Sequence, residues 1–250
     1  MSLESYLIAA LAVVLTGISK SGFAGGLGIL GVPLVALTMP PQTAAVLLLP
    51  ILIGIDILAV WRYRNDWQAG VIVVLLPGAA LGIGLGMIGF SRIDPDLLRV
   101  AIGIMALGFV LRFAVGNGRK RDSRASWPTL LIASTMSGFA GFVAHAGGPP
   151  IKGTLLGANL DKSAFVGTNA FFFFLLNLAK GAGYSALGLF TIDSVLASAL
   201  LSPWLLVGVW LGFALHTRIP QKVFVTLAYG LLALAGTNLL LIGGAALWGS

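Results

Sequence analysis

Long apolar runs separated by short polar stretches occupy almost the whole of this chain. A membrane-spanning helix needs about 20 predominantly apolar residues, and polar or charged residues bound each apolar run of that length. The predicted full spans are 42–61, 68–91, 97–115, 163–182, 194–217 and 223–247. The runs are too long and too continuously apolar for the alternating strands of a membrane β-barrel. The pattern therefore predicts an all-α polytopic membrane protein.

Two other apolar segments, 5–39 and 127–152, each carry a glycine-rich stretch. As one helix, the first would be about 50 Å long, which is too long for a single upright span. Its glycines also make a poor interior for a continuous helix. We expect each segment to form two half-helices that meet at a break and that enter and leave on the same face. Whether these segments are re-entrant or fully spanning stays open from the sequence.

The composition supports lipid as the solvent of this protein. Hydrophobic residues make up 58% of the 250-residue chain and charged residues only 9%, whereas soluble domains carry roughly 25% charged residues. The net charge is +7, but the basic residues lie at the ends of apolar runs and form no basic face, so nucleic acid is excluded as a partner. The chain has no cysteine and two histidines. We expect no disulfide, no metal site and no cofactor.

A duplication divides the chain into two halves. The sequence Ser-Gly-Phe-Ala-Gly occurs at 21–25 and again at 137–141. We interpret 1–116 and 127–250 as two pseudo-symmetric transmembrane repeats, each with one glycine-broken helix and three full spans. A short basic linker, 117–126, connects them. Such duplicated breaks are typical of secondary transporters, which bind their substrate between the repeats.

Loop charges indicate the topology. If both glycine-broken segments are re-entrant, eleven basic loop residues lie on one face and two on the other, as the positive-inside tendency requires. Both termini then lie outside the cytoplasm, and three full spans per half make the repeats inverted. If both segments span fully, the charges divide seven against six and indicate no orientation.

The glycine-rich breaks predict an anion site. A half-helix that begins near Gly25 or Gly141 would direct free backbone N–H groups and the positive end of its dipole toward the middle of the bilayer. Ser21 and Ser137 would add hydroxyl donors, and buried amides on the span 163–182 would need partners. The alternative for these residues is helix packing or helix–helix hydrogen bonding. The substrate-binding candidates are Lys20, Ser21, Gly22, Gly25, Gly26, Ser137, Gly138, Gly141, Gly147, Gly148, Thr168, Asn169 and Asn177.

Three ionisable residues inside apolar runs are candidates for proton coupling, because burying such groups in lipid is costly and usually serves function. His145 follows the second break and titrates near neutral pH when unperturbed. Asp56 lies in the middle of its span and could accept a proton or form a structural ion pair. Lys180 lies near the end of its span and could instead extend to the interface.

The stretch from Ser21 to Pro33, with its echo at 137–141 and at Gly147-Gly148-Pro149, resembles the sulfite exporter TauE/SafE family, also called the toluene-sulfonate uptake permeases. The resemblance covers essentially the whole chain. It implies a secondary transporter, not an enzyme, for sulfite or small organosulfur anions in a bacterial cytoplasmic membrane. The residues alone indicate only an anion. An anion channel, a membrane-embedded enzyme and a structural membrane subunit remain alternatives, and a homodimer is compatible with the sequence.

Overall fold

The computed structural model of the protein describes residues 1–22, 28–115, 126–156, 160–216 and 218–248. All regular structure within these residues is helical. A 3₁₀ turn at Gly28–Leu30 precedes the second α-helix. The α-helices are α1 (Leu3–Gly22), α2 (Gly31–Val35), α3 (Pro41–Arg62), α4 (Ala69–Phe90), α5 (Pro95–Val115), α6 (Trp127–Ala144), α7 (Gly148–Leu156), α8 (Lys162–Ala186), α9 (Ile192–His216) and α10 (Gln221–Trp248).

Eight helices in the described part of the chain are long and apolar enough to cross a membrane. Six of them, α3, α4, α5, α8, α9 and α10, coincide with the predicted full spans. By length and composition α1 and α6 qualify as well. Large apolar side chains such as Leu85, Ile104 and Trp210 lie on the outside of the bundle, where a soluble protein would place polar ones. The prediction of an all-α polytopic membrane protein is confirmed.

The chain returns toward its start after α1. The hydroxyl of Ser5, in the first turn of α1, donates to the carbonyl of Thr38 at 3.4 Å. Thr38 lies just before α3, so α3 begins at the same end of the bundle as α1. The ion pair between Lys20, near the end of α1, and Asp56, in the second half of α3, shows that the two helices then run in the same direction.

Glycines bring two pairs of helices into close contact. A Cβ on Gly82 of α4 would lie 2.0 Å from the carbonyl oxygen of Thr135 in α6. A Cβ on Gly208 of α9 would lie 2.4 Å from the carbonyl oxygen of Val14 in α1. Backbones can approach this closely only where no side chain intervenes, which is the usual role of small residues between membrane helices.

The contacts also give the helix directions. Along α4, Gly78 faces Ser134 and Gly86 faces Phe142, so α4 and α6 are parallel. Along α9, Gly208 faces Val14 and Gly212 faces Ile18 and Ser21, so α1 and α9 are parallel as well. The third close pair, α5 and α10, is antiparallel, because Gly243 faces Asp96 and Gly236 faces Ala106.

Helices α3 and α8 pack against each other in the interior of the bundle. The first half of α3, from Ala44 to Leu49, is buried throughout. Helix α8 begins at an N-cap in which the Asp161 carboxylate accepts from the backbone N–H of Ala164 at 2.8 Å, a standard stabilising arrangement. Between them, these two helices carry most of the buried ionisable and amide side chains of the bundle.

Candidate functional site

The second glycine-rich segment breaks four residues later than predicted. Helix α6 continues through Gly138 and Gly141 to Ala144, and α7 begins at Gly148. The expected half-helix start near Gly141 is therefore wrong. One interior glycine costs a helix only about 1 kcal/mol, and the close packing of α6 against α4 requires a glycine at 138, where a Cβ would lie 2.3 Å from the Ala79 carbonyl oxygen.

His145 makes the turn between α6 and α7. Its backbone is left-handed, with φ 53° and ψ 24°, and the N–H of Ala146 donates to the carbonyl of Ala140 at 3.0 Å. Residues other than glycine rarely adopt this conformation. Where one does, the surrounding structure must hold it, and such positions cluster at functional sites.

The imidazole of His145 connects three elements. Its Nε2 lies 2.8 Å from the carbonyl oxygen of Ala45 in α3, and its Nδ1 contacts the Nζ of Lys180 in α8. A carbonyl oxygen only accepts, so Nε2 carries the proton and the Nδ1 of a neutral imidazole accepts from lysine. Lys180 also donates to the carbonyl of Gly141 at 3.1 Å. His145 and Lys180 thus attach the break to α3 and α8.

Asp56 is the centre of a second group of contacts. Lys20 donates to its Oδ1 and the amide of Asn177 donates to its Oδ2, while only 2% of Asp56 is exposed. A buried carboxylate needs such partners, because isolating the charge from water costs far more free energy than one hydrogen bond returns. Asn177 lies three residues before Lys180 on the same helix, close to the same face, so the contacts of Asp56 and of His145 adjoin.

These contacts form one cluster, which we call the central polar cluster: Lys20, Asp56, Asn177, Lys180 and His145. The sequence predicted each member separately, as a substrate-binding or proton-coupling candidate. The structure brings them together from α1, α3, α8 and the turn after α6. Within the cluster, two lysines face one carboxylate.

Lys152 adds to the positive character of this region and was missed as a site candidate. It lies in α7, and its charge interacts with that of Lys20. The signal that could have identified it is its position, four residues after Gly148 in a segment that is otherwise almost entirely apolar. Basic side chains around one buried carboxylate favour a small anion as an additional partner.

The two motif serines make hydrogen bonds that join helices or stabilise the turn after α6. The hydroxyl of Ser21 donates to the carbonyls of Gly17 at 2.8 Å and Val209 at 3.0 Å, which joins α1 to α9. The hydroxyl of Ser137 donates to the carbonyl of Gly147 at 2.7 Å, across the second break. Both hydroxyl protons are thus engaged within the protein.

Some predicted residues cannot be placed. Gly22 is the last residue of α1, and the candidates Gly25 and Gly26 lie outside the described residues. The linker 117–126 also lies outside them, except for Ser126.

Thr168 and Asn169 lie away from the central polar cluster. The Thr168 hydroxyl accepts from the backbone N–H of Gln68, just before α4, at 3.0 Å. Thr168 precedes Asn177 by nine residues, which is about 13 Å along a helix. The Oδ1 of Asn169 is buried and has no hydrogen-bond partner among the described residues. These two side chains therefore belong to the end of the bundle where α4 begins.

A small cavity lies between α1, α3 and His145. Its volume is about 10 Å³, enough for roughly one water molecule. It is lined by Val13, Thr16, Gly28, Gly31, Leu48, Ile51, Leu52 and His145. An oxyanion larger than water could enter only if these walls separate.

Backbone donors at the second break are fewer than predicted. Gly148 has open space around the position of a Cβ, but Pro149 and Pro150 follow it at the start of α7. Proline has no N–H, so two of the four free donors of the first turn are missing.

A comparison with known families matches most of this chain. The model of the family described as "Sulfite exporter TauE/SafE" matches residues 9–239, which includes every residue of the central polar cluster. No curated protein matches the chain, and no solved structure does. The family match covers nearly the whole bundle, and the chain belongs to the sulfite exporter TauE/SafE family.

Proposed function

We propose that this protein is a secondary transporter that carries sulfite or a small organosulfur anion across a bacterial cytoplasmic membrane, in the direction of export. The observation that carries the proposal is the central polar cluster, in which Lys20 and Lys180 are held around Asp56 inside an apolar bundle. Ionisable groups at such depth usually mark a substrate or proton pathway. An inside-negative membrane potential would favour anion exit by about 2.3 kcal/mol per charge per 100 mV.

The two halves of the proposed transporter are inverted repeats. By duplication α6 corresponds to α1, α9 to α4, and α10 to α5. Helices α1 and α3 run in one direction, so α4, which follows α3 through a short loop, runs in the opposite one. Since α6 is parallel to α4, and α9 to α1, each of these helices opposes its counterpart. The antiparallel pair α5 and α10 supports the same relation.

The glycine-broken segments are re-entrant in this proposal. The contact between Ser5 and Thr38 supports it, because it returns the chain to the end where α1 began. This arrangement leaves three full spans per half and puts both termini in the periplasm. Because Lys152 lies in α7 beside Lys20 and not in a loop, the loop charges divide ten against two. The transporter then presents both breaks to one site near the middle of the bilayer, as in other inverted-repeat carriers.

Flux measurements test the transport function. Purified protein in proteoliposomes loaded with radiolabelled sulfite should release it faster than protein-free liposomes. Lys20→Met should abolish the release, because it removes the lysine nearest the break. Lys222→Met is the matched control: Lys222 is exposed at the start of α10 and its loss should leave the rate unchanged. Wild-type release from the Lys20→Met protein would refute the proposed site.

The same preparation distinguishes a carrier from an anion channel. The cavity beside His145 has room for only about one water, which supports a carrier with a closed state. A carrier should show saturable flux and no single-channel current in planar bilayers. Discrete conductance steps in sulfite solution would favour the channel.

A further inference from the structure

The ion pair between Lys20 and Asp56 joins a partly exposed ammonium group to a buried carboxylate. The side chain of Lys20 is 21% exposed, and that of Asp56 is 4% exposed. Lys20 lies two residues before the end of α1, beside the first break. Of the two partners, the lysine is therefore the more accessible to a solute.

A second hydrogen bond holds the other oxygen of the Asp56 carboxylate. Its Oδ2 accepts from Asn177, so the carboxyl group keeps one partner if Lys20 turns away. The other basic groups are committed elsewhere: Lys180 bonds to Gly141 and His145, although its charge still interacts with Asp56. Lys152 acts on Lys20 from α7. Lys20 is thus the direct ionic partner that Asp56 would lose.

We propose that Asp56 is the resident counter-ion of Lys20 and that the transported anion replaces it, with Asp56 taking up one proton in the exchange. This inference rests on the proposed function. A carboxylate and a sulfur oxyanion offer a lysine the same chemistry, negative oxygens that accept hydrogen bonds. A buried carboxylate without its ionic partner becomes neutral rather than staying charged.

The exchange balances in charge and in protons. Before binding, Lys20 is cationic and Asp56 is anionic. One singly charged anion and one proton enter; the anion pairs with Lys20 and the proton neutralises Asp56. The net charge of the cluster is the same before and after. Anion and proton therefore bind together, with Asp56 as the proton site.

Anion binding to single and double variants tests this exchange. Methanesulfonate is a suitable probe beside sulfite, because it stays ionised throughout the pH range of the assay and any pH dependence then belongs to the protein. In the wild type, its affinity should rise as the pH falls, by up to about tenfold per pH unit, because binding takes up one proton. Asp56→Asn should bind more tightly than wild type at pH 8, and its affinity should depend less steeply on pH, because the proton that Asp56 takes up is missing. Wild-type pH dependence in Asp56→Asn would overturn the proposal.

The double variant Lys20→Met/Asp56→Asn separates the ion-pair effect from general changes in the site. It should lose the gain in affinity that Asp56→Asn shows. Equal binding by the single and the double variant would mean that Lys20 does not hold the anion, and would overturn the exchange.

The reversed pair Lys20→Asp/Asp56→Lys keeps opposite charges in place if single variants fold poorly. It should fold, as judged by its thermal midpoint, but should bind neither probe. Binding with wild-type affinity would show that the pair is only structural and would overturn the exchange. If wild type binds acetate with the expected pH dependence but binds neither sulfur anion, the proposed substrate class fails while the exchange stands.

Discussion

Gly138, in the repeated Ser-Gly-Phe-Ala-Gly motif, is predicted to be a packing residue whose loss destabilises the bundle. In Gly138→Ala the new Cβ would lie 2.3 Å from the carbonyl oxygen of Ala79 in α4. Ordinary contact begins near 3.4 Å, so α4 and α6 must separate by about 1 Å, a gap that costs neighbouring atoms a quarter to a half of their dispersion energy. The expected loss is about 1 to 3 kcal/mol in the free energy of unfolding.

A second glycine provides the matched control. Gly84 lies in α4 and has nothing within 4 Å of the position of a Cβ. Gly84→Ala gains the same helix propensity as Gly138→Ala, about 1 kcal/mol in soluble helices, without the clash. The difference between the two variants therefore isolates the steric cost of separating α4 from α6.

Equilibrium unfolding in mixed detergent micelles, followed by tryptophan fluorescence, measures this difference. Gly138→Ala should unfold at a lower denaturing-detergent fraction than Gly84→Ala, and its remaining folded protein should bind sulfite with wild-type affinity. Equal unfolding free energies for the two variants would refute the packing argument. A stable Gly138→Ala protein that no longer binds sulfite would instead make this glycine part of the anion site.

Three further predictions concern single side chains. Ser137→Ala removes the hydrogen bond to Gly147 and should cost about 0.5 to 1.5 kcal/mol of unfolding free energy without weakening sulfite binding; a large affinity loss at full stability would contradict this. Asp161→Ala removes the N-cap of α8 and should lower stability by about 0.5 to 2 kcal/mol, while the sulfite flux per folded protein is retained. His145→Gly relieves the left-handed strain but removes the buried bonds to Ala45 and Lys180, so it should lower stability by about 1 to 3 kcal/mol and abolish flux; wild-type flux per folded protein would show that the imidazole is dispensable.

The spans were predictable because each is an uninterrupted apolar run that ends at charged residues. In the structure α3 ends at Arg62 and α5 begins at Pro95, and both positions lie within a few residues of the boundaries expected from the sequence. The repeat boundaries at 1–116 and 127–250 stay a prediction, because the residues between 116 and 125 are not described. Length and polarity were sufficient for the spans, since lipid imposes the same requirement on every helix that crosses it.

The members of the central polar cluster were predictable one by one, but their partners were not. Lys20, Asp56 and Lys180 stood out because each is ionisable within an apolar run. Asp56 and Asn177 lie 121 positions apart in the chain, and only the packing of α3 against α8 brings them into contact. A single sequence gives the chemical type of each residue and contains no direct signal of such a pairing.

The glycines were the least predictable feature, because the same residue type serves a break and a close helix contact equally well. At Gly138 and Gly141 close helix packing decides: α6 stays helical there, and the break occurs at His145, whose backbone is left-handed. In the proposed transporter, the anion attraction assigned to the glycines therefore moves to Lys20. Backbone amides would bind an anion equally well at any pH, whereas the exchange proposed for Lys20 and Asp56 makes anion binding depend on a proton.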